Sequence, residues 1–241
     1  MMLLGCPSSQ TWTTARTVPA GSVQHTAGVE FIGLNVDDPD CVDAEGDDVC
    51  DSIGFVAVPF PGYIARIGVA DMLDLGFKAS TAGSFGADFK IQLVRTDAFD
   101  LAIDPGFSMP FVFAFTYINM PVLFSLNFGE MTTLTLYPKA SYWVVFNEDI
   151  DTAANGFFVG GGANFQIRVS DRFAITPGFE WTRSVAGMDE GEAITFFNFG
   201  VGFSFGSFPE FGEPQVAQPT YVTPVQDTSA PPPPPPAVPV Q

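Results

Sequence analysis

The chain has 241 residues, of which 26 are Phe and only 9 are Lys or Arg, and its formal net charge is −18. So few cations exclude nucleic acid as a partner, because holding a phosphate backbone needs clustered Lys and Arg, and a charged fraction of 15% is low for a soluble domain that must hydrate its whole surface. No run reaches the roughly 18 apolar residues that a membrane helix needs, so any membrane crossing has to be made by strands.

The first residues read MMLLGCPSS, and Leu3, Leu4, Gly5 and Cys6 resemble the bacterial lipobox. That resemblance implies a lipid on Cys6 as the first residue of the mature chain. The charged and apolar stretches of an export signal are missing ahead of Cys6, as a translation start set too far downstream would leave them. Residues 1–22 are therefore read as a signal remnant followed by a Ser/Thr-rich periplasmic lead.

Strand periodicity begins at Val23. From there to Leu34, His25, Ala27, Val29 and Phe31 alternate with Gly28 and Glu30, so one face is apolar and the other small and polar. His25 is the only histidine, and it sits at the rim of this strand. Proton transfer needs an imidazole beside a carboxylate or a serine, so His25 reads as an interfacial residue. With no nucleophile elbow, phosphate loop or Cys/His metal spacing in the chain, no catalytic residue and no cofactor are expected.

The next stretch, NVDDPDCVDAEGDDVCDS, is too acidic and too interrupted by Gly and Pro to form an element. Once Cys6 is set aside, Cys41 and Cys50 remain as a pair, and an exported loop in an oxidising compartment is expected to join them as a disulfide. Asp43, Glu45, Asp47 and Asp48 are hard oxygen ligands of the kind Ca²⁺ takes. The glutamate that completes a calcium loop is missing, so a solvated acidic loop is the expectation and no metal site is assigned.

PFPGYIARIGVADMLDLGFKAS then reads as two strands around a tight turn near Asp71, with Tyr63, Ile67, Val69, Leu75 and Phe77 on the apolar side and Arg66, Asp74 and Lys78 opposite. Phe85 to Leu93 alternates almost without a break, with Phe89 on the apolar face and Asp88, Lys90 and Gln92 on the other. Phe99 to Phe107 sets Leu101 and Ile103 against Asp100, Ala102 and Asp104. MPVLFSLNF continues the pattern, and Thr132 to Trp143 carries it more weakly because Pro138 interrupts. Phe157 to Val169 sets Phe165 against Gln166 and Arg168, and strands at Phe173 to Trp181 and Phe197 to Phe205 follow. The tail 206–241 carries six consecutive prolines at 231–236 and is expected to be disordered or polyproline II, a spacer or the reach toward a periplasmic partner.

About ten strands result, with eight the alternative count, most near the roughly 9–11 residues that a tilted strand needs to cross hydrocarbon. Turns near Asp71, Thr96, Glu130 and Ser170 are tight, whereas the linkers at 35–55, 144–155 and 185–192 are long and acidic, the asymmetry of a barrel with extracellular loops. The polar faces carry Arg66, Lys78, Lys90, Lys139 and Arg168 against Glu30, Asp74, Asp88, Asp100, Asp104 and Glu180. Five against six nearly cancels, which suits an enclosed lumen where each charge needs a partner.

The aromatic terminal strand FFNFGVGFSF and the hairpin RIGVADMLDLGFK resemble those of small outer-membrane β-barrel proteins of Gram-negative bacteria, lipoprotein type. The resemblance implies a closed antiparallel up-and-down transmembrane β-barrel over residues 23–205. It also implies an outer-membrane location with both termini periplasmic, membrane lipid around the wall, and the barrel-assembly machinery as the partner in biogenesis. The expected function is non-enzymatic, structural or interaction-bearing, with a charge-filled lumen. The alternatives are a narrow passive pore for small solutes and a soluble β-barrel that binds an apolar ligand.

Overall fold

Two-residue periodicity leaves each strand's backbone donors and acceptors free on both edges, and neighbours in sequence satisfy them by antiparallel pairing. In the computed structural model, which describes residues 11–37, 58–81, 83–110, 115–145, 156–186 and 193–209, eleven strands form in chain order. They are β1 (Val23–Asp37), β2 (Val58–Ala70), β3 (Leu73–Ser80), β4 (Ser84–Arg95), β5 (Phe99–Ile103), β6 (Gly106–Pro110), β7 (Phe115–Phe128), β8 (Thr132–Val145), β9 (Gly156–Ser170), β10 (Phe173–Ala186) and β11 (Ala193–Gly206).

Both β5 and β6 lie between β4 and β7, so they are two halves of one wall strand, interrupted at Asp104 and Pro105. The ring closes because β1 pairs with β11 from Gln24↔Gly206 to Asp37↔Ala193. The result is a closed, antiparallel, ten-strand up-and-down barrel.

Polarity is inverted relative to a soluble core. On β9, Phe157, Phe165, Ile167 and Val169 face outward and are exposed, while Asn164 and Gln166 between them are buried. Every strand repeats this, so the outer wall is apolar and the lumen is polar. A soluble barrel with an apolar interior is the opposite arrangement, and that alternative does not fit. The strands are transmembrane strands. Aromatic side chains gather at the ends, with Phe173 against Phe205 at 5.1 Å between ring centroids on the tight-turn end and Tyr142 beside Phe157 on the other, as interfacial girdles do.

Several features differ from the sequence reading. The strand around Pro138 is not weak, since β8 runs from Thr132 to Val145, but its ladder to β7 opens between Pro121↔Lys139 and Phe124↔Leu136. Pro138 has no N–H to give, and the gap falls beside Pro121. On the long-loop side, the connection from β3 to β4 is a tight turn, closed by Gly83 N–H donating to Ser80 O at 3.0 Å.

The expected disulfide is corrected: no disulfide bond is found among the described residues, and Cys41 and Cys50 fall outside them. Cys6, Asp43, Glu45, Asp47 and Asp48 also lie outside the described residues.

The barrel does not end at Phe205. Ser207 N–H donates to Val23 O at 3.1 Å, Phe208 is buried, and the Arg168 guanidinium lies 5.1 Å from its ring centroid while donating to Pro209 O at 2.7 Å. A chain ending at Pro209 should therefore match the full chain in thermal stability. One ending at Phe205 should be weaker by about 2 kcal/mol, the worth of burying a phenylalanine, read as the temperature at which heat-modifiable gel mobility is lost. Phe165→Arg, on the lipid face, should cost about 2–4 kcal/mol at mid-membrane and impair insertion far more than Gln166→Arg, one residue on and facing the lumen, in the same gel assay.

Candidate functional site

The lumen gathers the polar side chains, and its lower half is filled by the chain itself. Residues 19–22 turn under the barrel, with Gly21 N–H donating to Gly68 O at 2.9 Å and Gly68 N–H to Ser22 O at 3.0 Å. Residues 11–18 then run inside the wall, and each of them is buried. The sequence reading placed them in a lead outside the barrel.

This segment is irregular, bent at Ala15 and Arg16, so it has no ladder of its own and its backbone must be satisfied by the wall. Ala15 N–H donates to Ser125 Oγ at 2.8 Å, Thr17 N–H to Gln92 Oε1 at 3.1 Å and Val18 N–H to Asp74 Oδ2 at 3.0 Å. In the other direction, Lys90 Nζ donates to Thr14 O and Arg16 O, both at 3.0 Å. Asn164 Nδ2 donates to Thr11 O at 2.7 Å and Thr13 O at 3.0 Å.

Two side chains of the segment fit the wall specifically. Arg16 forks onto Asp100, with Nε and Nη2 each 3.0 Å from a carboxylate oxygen, and the same Nη2 reaches Thr96 O at 2.5 Å. Trp12 lies against glycines: a Cβ added at Gly28 would fall 2.5 Å from its ring and one at Gly202 would fall 3.0 Å from it. The small residues of β1 and β11 thus make room for an indole.

Most of the wall charges read from the sequence point inward and form connected groups. Arg66 bridges Asp74, Asp88 at 2.6 Å and Asp104 at 3.2 Å. Lys78 meets Asp88 at 2.9 Å, and Lys90 meets Asp74 at 3.3 Å. Asp104 lies at the break between β5 and β6, on the same inward parity as Asp100 and Ala102, and its N–H finds Pro121 O at 3.1 Å.

Toward the long-loop end Lys139 pairs with Glu180 at 2.8 Å and lies 5.3 Å from the Tyr117 ring centroid. Glu30 is buried from β1. Arg168 turns to the mouth and the tail instead. Above these, Trp143 stacks on Phe158 at 4.7 Å and leans on Phe196 at 5.4 Å, an apolar layer in the upper lumen built from β8, β9 and β11.

Tyr137 is buried at the opening in the β7–β8 ladder, and Gly162 opposite it has no side chain because a Cβ there would meet the phenol ring. His25 faces outward with Nδ1 2.5 Å from Tyr63 Oη, away from the lumen carboxylates. No group of His, Cys, Asp or Glu among the described residues is arranged to hold a metal.

Alternation could not reveal the partners contributed by the lead. Arg16, Trp12 and the hydrogen-bonding roles of Gln92 and Ser125 were missed because the lead has no period to read. The available signal was compositional: a tryptophan and an arginine within an otherwise small and hydroxylated stretch, TWTTART, just before a Pro-Ala-Gly turn.

The chain folds as a small outer-membrane-protein-like β-barrel. No protein-family model and no curated protein matches it. Among solved structures it is similar to the outer membrane protease OmpT of Escherichia coli, at 7% identity and a TM-score of 0.45, covering 79% of this chain and 98% of that one. It is also similar to OprG of Pseudomonas aeruginosa, at 9% identity and a TM-score of 0.38 over 82% and 100% of the two chains. Ail of Yersinia pestis matches at 12% identity and a TM-score of 0.32 over 77% and 99%. No residue role is carried over from any of them.

Asp100 is fully buried, so Arg16→Ala should cost about 3–5 kcal/mol by leaving a buried carboxylate without its cation. The Arg16→Ala/Asp100→Asn pair should recover a large part of that loss, measured as the urea midpoint for the folded gel form in detergent.

Proposed function

We propose that the protein is a non-enzymatic outer-membrane barrel whose lumen is closed to solutes and which serves a structural or interaction role. The observation that carries this reading is the passage of residues 11–18 through the lower lumen, bonded to the wall along their length. The aromatic layer of Trp143, Phe158 and Phe196 supports it from the other end. Paired wall charges support it too, since carboxylates engaged by cations and fixed amides offer no exchangeable path for ions. The outward position of His25, away from any lumen carboxylate, supports the non-enzymatic part.

In this reading the tight-turn end is periplasmic, the barrel-assembly machinery inserts the chain, and the Pro-rich tail is free to reach a periplasmic partner from the mouth. Lipidation of Cys6 belongs to the same proposal. Incorporation of labelled fatty acid that disappears in Cys6→Ser tests it.

The decisive measurement for the closed lumen is reconstitution of the full chain in planar bilayers. Folded protein should give no steady unitary current steps. Reproducible steps of one size would replace this reading with the narrow pore.

A further inference from the structure

The lower lumen does more than enclose residues 11–18; it reads them. Its contacts divide into a set that addresses backbone groups, supplied by Ser125, Gln92, Asp74, Lys90 and Asn164, and a set that addresses side chains, in which Lys90, Gln92 and Arg95 meet the Thr13 and Thr17 hydroxyls and two sites take the large side chains. The Asp100 fork accepts a guanidinium in both of its oxygens, the geometry that favours Arg over Lys. The glycine-lined slot accepts a flat aromatic ring. The fork and the slot are occupied by residues four apart, Arg16 and Trp12.

From this geometry we infer that the lower lumen is a peptide-binding socket, selective for an aromatic residue four positions ahead of an arginine, with residues 11–18 as its tethered occupant. A separate peptide of the same pattern takes the place of that occupant when it is free to leave.

Three features distinguish a socket from a permanent core. The wall is complete without the segment, because the ladder from β1 to β11 closes outside residues 11–18. The recognition groups are held by wall partners of their own: Asp100 also accepts from Asn127 at 2.8 Å and Gln92 at 3.2 Å, and Lys90 keeps Asp74. The occupant's backbone and Arg16 are held by hydrogen bonds that water can take over on release, while its buried Trp12, Ala15 and Val18 are apolar surface that a replacing peptide has to cover again.

A cavity of about 460 Å³ lies at the tight-turn mouth, lined by Pro19, Ser22, Arg172 and Phe208 among others, beside the point where the segment enters.

The test keeps the full chain. A site-specific protease sequence is inserted between Ala20 and Gly21, both exposed, and the protein is folded in detergent and then cleaved. The cut chain, shown to be folded by its gel mobility, should exchange its fragment for fluorescent TWTTARTV peptide, while the uncut chain should not bind it. Peptides with Ala at the Trp or the Arg position should bind at least about tenfold more weakly, as the loss of a charge-assisted or aromatic contact dictates.

A fragment that never exchanges before the barrel unfolds would overturn the inference, as would equal binding of the Ala peptides. If the insertion prevents folding, the uncut Trp12→Ala/Arg16→Gln chain replaces it and should bind the peptide at least about tenfold more tightly than wild type. Equal binding by the two overturns the proposal. The measurement is made in detergent and is unaffected by whether the lumen conducts.

Discussion

The pairing of β1 with β11 is the constraint from which the rest follows. In hydrocarbon there is no water to satisfy an open strand edge, so a sheet that crosses the membrane must close on itself. Closure at ten strands fixes the volume of the interior. Outward positions then face lipid and must be largely apolar, which leaves the inward positions to carry most of the charge in the wall. Those charges cannot be left in an empty, narrow space without partners, because an unpaired buried ion costs several kcal/mol. The lumen is accordingly an electrostatic problem that the chain solves with its own groups.

The solution has two parts of different character. Within β2, β3, β4 and the broken strand of β5 and β6, cations and carboxylates at matched heights neutralise one another, with Arg66 at the centre of three aspartates. Asp100 is different, for its cation is Arg16, brought in by the lead. The wall on its own leaves this carboxylate with amide donors only, and the segment that completes it also supplies acceptors to Lys90. Neutralisation of the lumen and occupation of the lumen are thus one event, and the specificity of the Asp100 fork follows from the same need that made the segment enter.

How much of this could be read beforehand depends on whether a residue takes part in alternation. The strands were legible because Phe85 to Leu93 or Phe157 to Val169 show period two directly, and lipid outside makes that pattern sharper than in a half-buried soluble sheet. Pro138 misled because proline weakens a ladder only on the edge where its N–H was needed, and here the opening is shared with Pro121. Phe208 lay beyond the last alternating residue and was assigned to the tail, yet a cation on β9 holds it. The lead was illegible for a physical reason: an irregular segment satisfied by a wall has no internal spacing rule, and its sequence reflects the sockets it fills.

Those sockets can be found in the strands once the occupant is known. Gly28, Gly62 and Gly202 sit on β1, β2 and β11, three adjacent strands, and each lies near the same indole. In a strand interior glycine gives up side-chain packing and costs backbone entropy, so three of them facing one place in the lumen call for a compensating contact. The ring of Trp12 is that contact. It restores the buried area that the glycines forgo, and it does so across the seam where the first strand meets the last. The residue that fills the lumen therefore also packs on the closure on which the barrel depends, joining the two constraints at one side chain.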